Sequence, residues 1–107
     1  MQALTDATIL AVIDELRSCL PGFDGVSIIH PWAISAISAA SAGVVAGHRT
    51  HHSVVEAARA TAMATFHVKP LSYGNRVLAA VLAQVVFATN GEERNFHETV
   101  HLVGAEI

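Results

Sequence analysis

The chain has 107 residues, 52% of them apolar and only 14% charged, with a net charge of −3 and a pI near 6.1. That length supports one domain with one core, and six scattered Lys/Arg on an acidic chain give no basic stripe for nucleic acid. The longest weakly polar runs, 33–47 and 77–89, are too short or too rich in Ser, Ala and Gly to span a bilayer.

The single Cys19 rules out an internal disulfide, and Asp6 followed by an amphipathic pattern is not an export signal. A reducing cytoplasm is the expected compartment. Much of the apolar content is alanine, which anticipates close helix contacts or a dimer interface.

Thr5 caps a first helix with Asp6 in its first turn. Ile9, Val12, Ile13, Leu16 and Leu20 recur at helical spacing, so this helix is amphipathic and ends before Pro21-Gly22. A turn follows over 21–25. Pro31 suits the first position of a second helix, predicted to continue to Gly47 with Ile34, Ile37, Val44 and Val45 on its core face. Ser35, Ser38 and Ser41 keep its girth small, and His48-Arg49-Thr50-His51-His52 reads as a polar loop.

Ser53 with Glu56 three residues on forms a capping box for a third helix, which Pro70 stops near Val68. A fourth helix begins at about Ser72 to Gly74. Its band Val77, Leu78, Val81, Leu82, Val85 and Val86 is wide enough to place it centrally, and Asn90-Gly91 ends it. Asn95 and Glu98 cap a short fifth helix with Phe96, Val100 and Val103 as its core stripe, stopping at Gly104. The expectation is an all-α bundle of five helices, one domain over residues 1–107.

The connection from Phe66 to Arg76 concentrates the chemistry. The first amides of the fourth helix lack internal partners and sit at the positive end of its dipole, Gly74 allows close backbone approach, and Arg76 adds a full charge. This outlines an anion site, against the plainer reading of an interhelical loop with a glycine for geometry. A second motif is His97-Glu98-Thr99-Val100-His101, which matches H-E-x-x-H; in metalloproteases two imidazoles one turn apart hold zinc and the glutamate activates water. Seven histidines in the chain raise the odds of a chance match, and Glu98 is also explained as the capping partner of Asn95. A third ligand would have to come from Glu106 or from His48, His51 and His52.

Lys69-Pro70-Leu71-Ser72-Tyr73-Gly74-Asn75-Arg76-Val77, between an alanine-rich helix and an apolar helix closing in Asn90-Gly91, resembles the Fic/Doc family in its short Doc (death-on-curing) form. That family's pattern is H-P-F-x-D-G-N-K-R. Pro70, Gly74 and Asn75 coincide with it, Leu71 keeps the apolar anchor and Arg76 a cation. The final Leu102 to Ile107 is similar to the family's acidic ending. The resemblance extends over nearly the whole chain in shape, but its specific part is this stretch. It implies a Doc-like helical fold and the transfer of a nucleotidyl or phosphoryl group to a protein hydroxyl, a histidine acting as base and loop amides cradling phosphate.

The departures fall on that chemistry. Lys69 replaces the histidine, Tyr73 the acidic metal-associated residue and Val77 the second basic residue. An unperturbed lysine, with a pKa of about 10.4, is a poor base at neutral pH, and the magnesium contact is lost. His67 would take the histidine's place only through a register shift that Pro70 and Gly74-Asn75 oppose.

The expectation is a repurposed enzyme in which Lys69, desolvated between helices, serves as nucleophile, Schiff-base former or proton donor. Tyr73 and His67 are then candidate acid-base groups and Gly74, Asn75 and Arg76 candidate binding groups for a nucleotide, phosphate or other anion. Against this, Lys69 reads equally as a solvated loop residue, Tyr73 as packing and His67 as a helix-end residue. The alternatives are a non-catalytic partner-binding or dimerisation module, an antitoxin-partnered component, and a small zinc hydrolase built on His97 and His101. No cofactor is assigned.

Overall fold

A computed structural model describes residues 2–45 and 47–107 of the chain. Five helices carry the fold: α1 (Asp6–Cys19), α2 (Trp32–Ala42), α3 (Val54–Val68), α4 (Asn75–Thr89) and α5 (Phe96–Val103), the last followed by a 3-10 turn over Gly104–Glu106. The all-α expectation holds, and no described helix is long and apolar enough to cross a membrane.

The caps fall where the residue types put them. Thr5 accepts from the Thr8 amide, Asn95 and Glu98 close a reciprocal capping box, and Ser53 accepts from the Glu56 amide, although the Glu56 carboxylate takes the His52 amide and so leaves the expected box at Ser53 half formed.

The second helix is shorter than its sequence suggests. It ends at Ala42 because Gly43 adopts a left-handed conformation with φ 59° and its amide closes on the Ala39 carbonyl. A side chain at Gly43 would overlap the His51 ring, so only glycine fits there. The β-branched Val44–Val45 (β1) then pair antiparallel with His48–Arg49 (β2), so part of the expected polar loop is a small β-ribbon. Val44 is 55% exposed rather than part of the core. The side chain of Val45, expected beside it, lies outside the described residues.

Helix α4 occupies the centre, packing chiefly on α3 and also on α5 and α1. Leu78, Leu82 and Val86 are buried as expected, and Ala79, Ala80, Ala83 and Phe87 join them; Val77, Val81 and Val85 are only half-buried. Facing α4, helix α3 offers Ala57, Ala58, Thr61, Ala62 and Thr65, all fully buried. The Thr61 and Thr65 hydroxyls donate to the carbonyls one turn back at 2.8 Å, so each threonine packs like a valine with no orphaned polar atom. With only small side chains on the α3 side, the two helices make the most extensive contact in the fold.

The serines of α2 do more than keep the helix thin. Ser38 donates to the Leu4 carbonyl at 2.7 Å and Ser41 accepts from the Leu4 amide at 2.9 Å, holding the buried Leu4 against α2. Asn90 clasps Gln2 from the far end of α4, accepting from its amide and donating to its carbonyl.

In α5 the expected core stripe needs correction. Thr99 and Val103 are buried, whereas Phe96 and Val100 remain 44% and 36% exposed. The helix rests on the stripe through 99 and 103, which turns the adjacent stripe through 96 and 100 outward.

The two glycines at the ends of the ribbon separate backbone strain from steric overlap. Gly47→Ala meets open space and incurs only the left-handed penalty of about 1–2 kcal/mol. Gly43→Ala adds the clash with His51, so its melting temperature should fall further, by roughly 5–15 °C in thermal unfolding. Equal shifts would show that the His51 contact does not hold Gly43.

Candidate functional site: the corner between α3 and α4

Helix α3 terminates at Lys69, the one non-glycine residue with positive φ (47°) among those described, its amide bonded to the Thr65 carbonyl. A lysine held there carries roughly 1–2 kcal/mol of strain, which neighbouring structure must enforce. The enforcing neighbour is the segment 22–30. The Pro70 carbonyl accepts from the Ile29 and His30 amides at 2.8 and 3.2 Å, and Ser72 and Ser27 exchange two bonds. Nδ1 of His30 lies 2.9 Å from the Lys69 carbonyl. Since a carbonyl only accepts, Nδ1 carries the proton and holds Lys69 in place.

From the other side Asn75 clamps the corner, its Oδ1 accepting from the Leu71 amide and its Nδ2 donating to the Leu71 carbonyl, both at 3.0 Å. Leu71 is buried and bridges to Ile28.

Several of the sequence candidates therefore serve to build the corner. Gly74, at φ 77°, lies so close to the Phe23 ring that any side chain would overlap it. Tyr73 packs edge-on against Phe23 with ring centroids 6.1 Å apart, and its hydroxyl donates to the Gly22 carbonyl at 2.6 Å.

Lys69 lies exposed rather than desolvated between the helices as expected, because its left-handed backbone at the helix end turns it outward over the Phe66 ring, Nζ 5.5 Å from the ring centre; the Arg76 guanidinium carbon approaches the same ring to 5.4 Å. His67 is exposed beside it, its ring 6.1 Å from that of Phe66. The contacts of Lys69 and Tyr73 thus lead to different surroundings, toward Phe66 and toward Phe23. Among the described residues neither Lys69 nor Arg76 has a carboxylate within ion-pair distance, and the amides of Asn75, Arg76 and Val77 have no protein acceptor.

Residues outside the expected set complete the surface. Trp32 is 62% exposed and Ile29 51% exposed, and the Trp32 ring lies 5.6 Å from that of His30, the residue pinned to Lys69. The sequence signal was the cluster Ile29-His30-Pro31-Trp32, in which two rings flank a proline at a helix start.

His97, Glu98 and His101 share a shallow outer hollow with Arg94 and Leu102. The Glu98 carboxylate faces the Asn95 amide as a cap. His51 and His52 line a separate hollow with Glu56 and Glu106, and Nε2 of His51 donates to the Ala40 carbonyl at 2.8 Å. Among the described residues no three His, Cys, Asp or Glu side chains gather as a metal-ligand set. The Cys19 thiol donates to Glu15 at 3.2 Å, and that hydrogen bond, with the carboxylate's charge, pushes its pKa up and blunts it as a nucleophile.

Asn75→Ala removes both bonds to Leu71 and leaves half-buried backbone groups unpaired, so unfolding should cost about 1–3 kcal/mol less, read as a lowered midpoint in urea. An unchanged midpoint would show that the clamp contributes nothing. No protein-family model matches the chain, and neither a curated protein nor a solved structure does so.

Proposed function

We propose that this chain binds an anionic small molecule with a planar or apolar portion at the α3–α4 corner, the resemblance to the Doc form pointing to a nucleotide or related phosphate compound. The observation that carries this reading is the tying of an exposed tryptophan's segment to the backbone of an exposed lysine that, among the described residues, makes no ion pair. Three hydrogen bonds from Ile29 and His30 to Pro70 and Lys69 tie the Trp32 segment to the corner. An exposed indole gives a flat ring a stacking surface, and an ammonium without a counter-ion meets phosphate charge. Arg76, sharing the Phe66 ring with Lys69, adds a second cation.

In this reading Asn75, Gly74 and Tyr73 shape the corner rather than touch the ligand. Lys69 is the group that meets the ligand's charge. Where a transfer follows binding, Lys69 is the residue standing in place of the family's histidine, and it meets the ligand as an exposed cation.

Trp32 is the only tryptophan, so intrinsic fluorescence reports on the site without a label. Titration with ATP should change its emission saturably, with inorganic phosphate as the control for charge alone. Lys69→Ala removes one charge-assisted contact of about 1.5–3 kcal/mol, so affinity should fall by roughly ten- to a hundredfold while the melting temperature stays within a few degrees. Emission indifferent to ATP, or equal affinity after the substitution, overturns the reading.

A further inference from the structure

The face between α4 and α5 carries a second feature, which shares Arg76 with the corner. Helix α5 runs back along α4: the Gln84 side chain donates to the Arg94 carbonyl at one end, and Arg76 and Val77 meet Gly104 and Ile107 at the other. Between them lies an open hollow of about 360 Å³, its walls Val77, Ala80, Phe96, Val100 and Ile107. Phe96 and Val100, one turn apart, project apolar surface into solvent beside it. Exposed apolar side chains clustered on one short helix, next to a hollow lined by further apolar groups, mark a surface that is covered in use.

We infer that a second copy of this chain covers it, as a two-fold dimer with the α5 helices antiparallel. A two-fold axis pairs each residue i with j and each j with i, so the face must be complementary to its own reversal. This one is, in shape and in charge.

The bulky Phe96 stands at one end of the hollow and Gly104 leaves a gap at the other, so reversal sets each Phe96 over the partner's glycine gap. Arg76 lines the hollow with Gly104, and the exposed Glu93 precedes Phe96 by three residues in the chain. Among the described residues neither makes an ion pair within the chain. Reversal brings each Arg76 to the partner's Glu93, two equivalent pairs per dimer, with Val100 near the axis.

Sedimentation equilibrium on the full chain tests this, with the mass expected to rise to twice 11.3 kDa as concentration increases through the micromolar range. Arg76→Glu and Glu93→Arg, both surface changes, should each weaken self-association by roughly tenfold or more through like-charge contacts. Mixed one to one, the two variants should restore dimers. In the mixed pair the carboxylate introduced at position 76 faces the guanidinium introduced at position 93, and the second contact keeps its native Arg76 and Glu93. Val100→Asp should give a monomer with unchanged circular dichroism.

A wild-type chain that stays monomeric into the submillimolar range overturns the proposal and leaves the hollow to a different occupant. A dimer indifferent to Val100→Asp and to the charge exchange overturns it equally, by placing the interface elsewhere.

Discussion

The fold turns on a bracing of backbone against backbone at one corner. Two long helices, α3 and α4, meet through six residues, and a corner that short leaves polar groups that neither helix can satisfy. The chain solves this from two directions. Asn75 bridges the amide and carbonyl of Leu71 from inside, and the segment 27–30 takes the Pro70 and Lys69 carbonyls and the Ser72 amide from outside. With those groups satisfied, Lys69 holds a left-handed conformation that a lysine otherwise avoids, and Gly74 places α4 against Phe23.

The close approach of α3 and α4 depends on that corner. Their buried surfaces are alanine and threonine on α3 and leucine, valine, phenylalanine and alanine on α4, an interface that excludes water only at short separation. Buried threonine hydroxyls cost nothing because each returns to its own helix. The oiliness of the composition is thereby accounted for: alanine serves as spacing on α3 and α4, and the bulky buried residues come from α1, α2, α4 and α5.

Much of this was legible. Thr5, Ser53 and Asn95 announced their helices because capping is local chemistry, decided within four residues. The end of α3 before Pro70 was legible for the same reason. The end of α2 was not, because two glycines competed and the winner was chosen by His51, eight residues beyond the nearer one. Nor was the tilt of α5, since 96, 100 and 103 form an apolar stripe as good as 99 and 103 until α4 selects one.

At the corner, the backbone contacts of the motif residues were not legible. Asn75 and Tyr73 spend their polar atoms on backbone groups at 71 and 22, and only a folded chain reveals that. Trp32 escaped notice because an aromatic at a helix start ordinarily signals core.

The clasp between Asn90 and Gln2 joins positions 88 apart in the chain. A contact of that span closes the largest loop the molecule has, so the entropy of closing it must be met by structure already formed elsewhere. Through Leu4 the same segment also holds Ser38 and Ser41, so the clasp at Asn90 and the packing of the second helix are coupled.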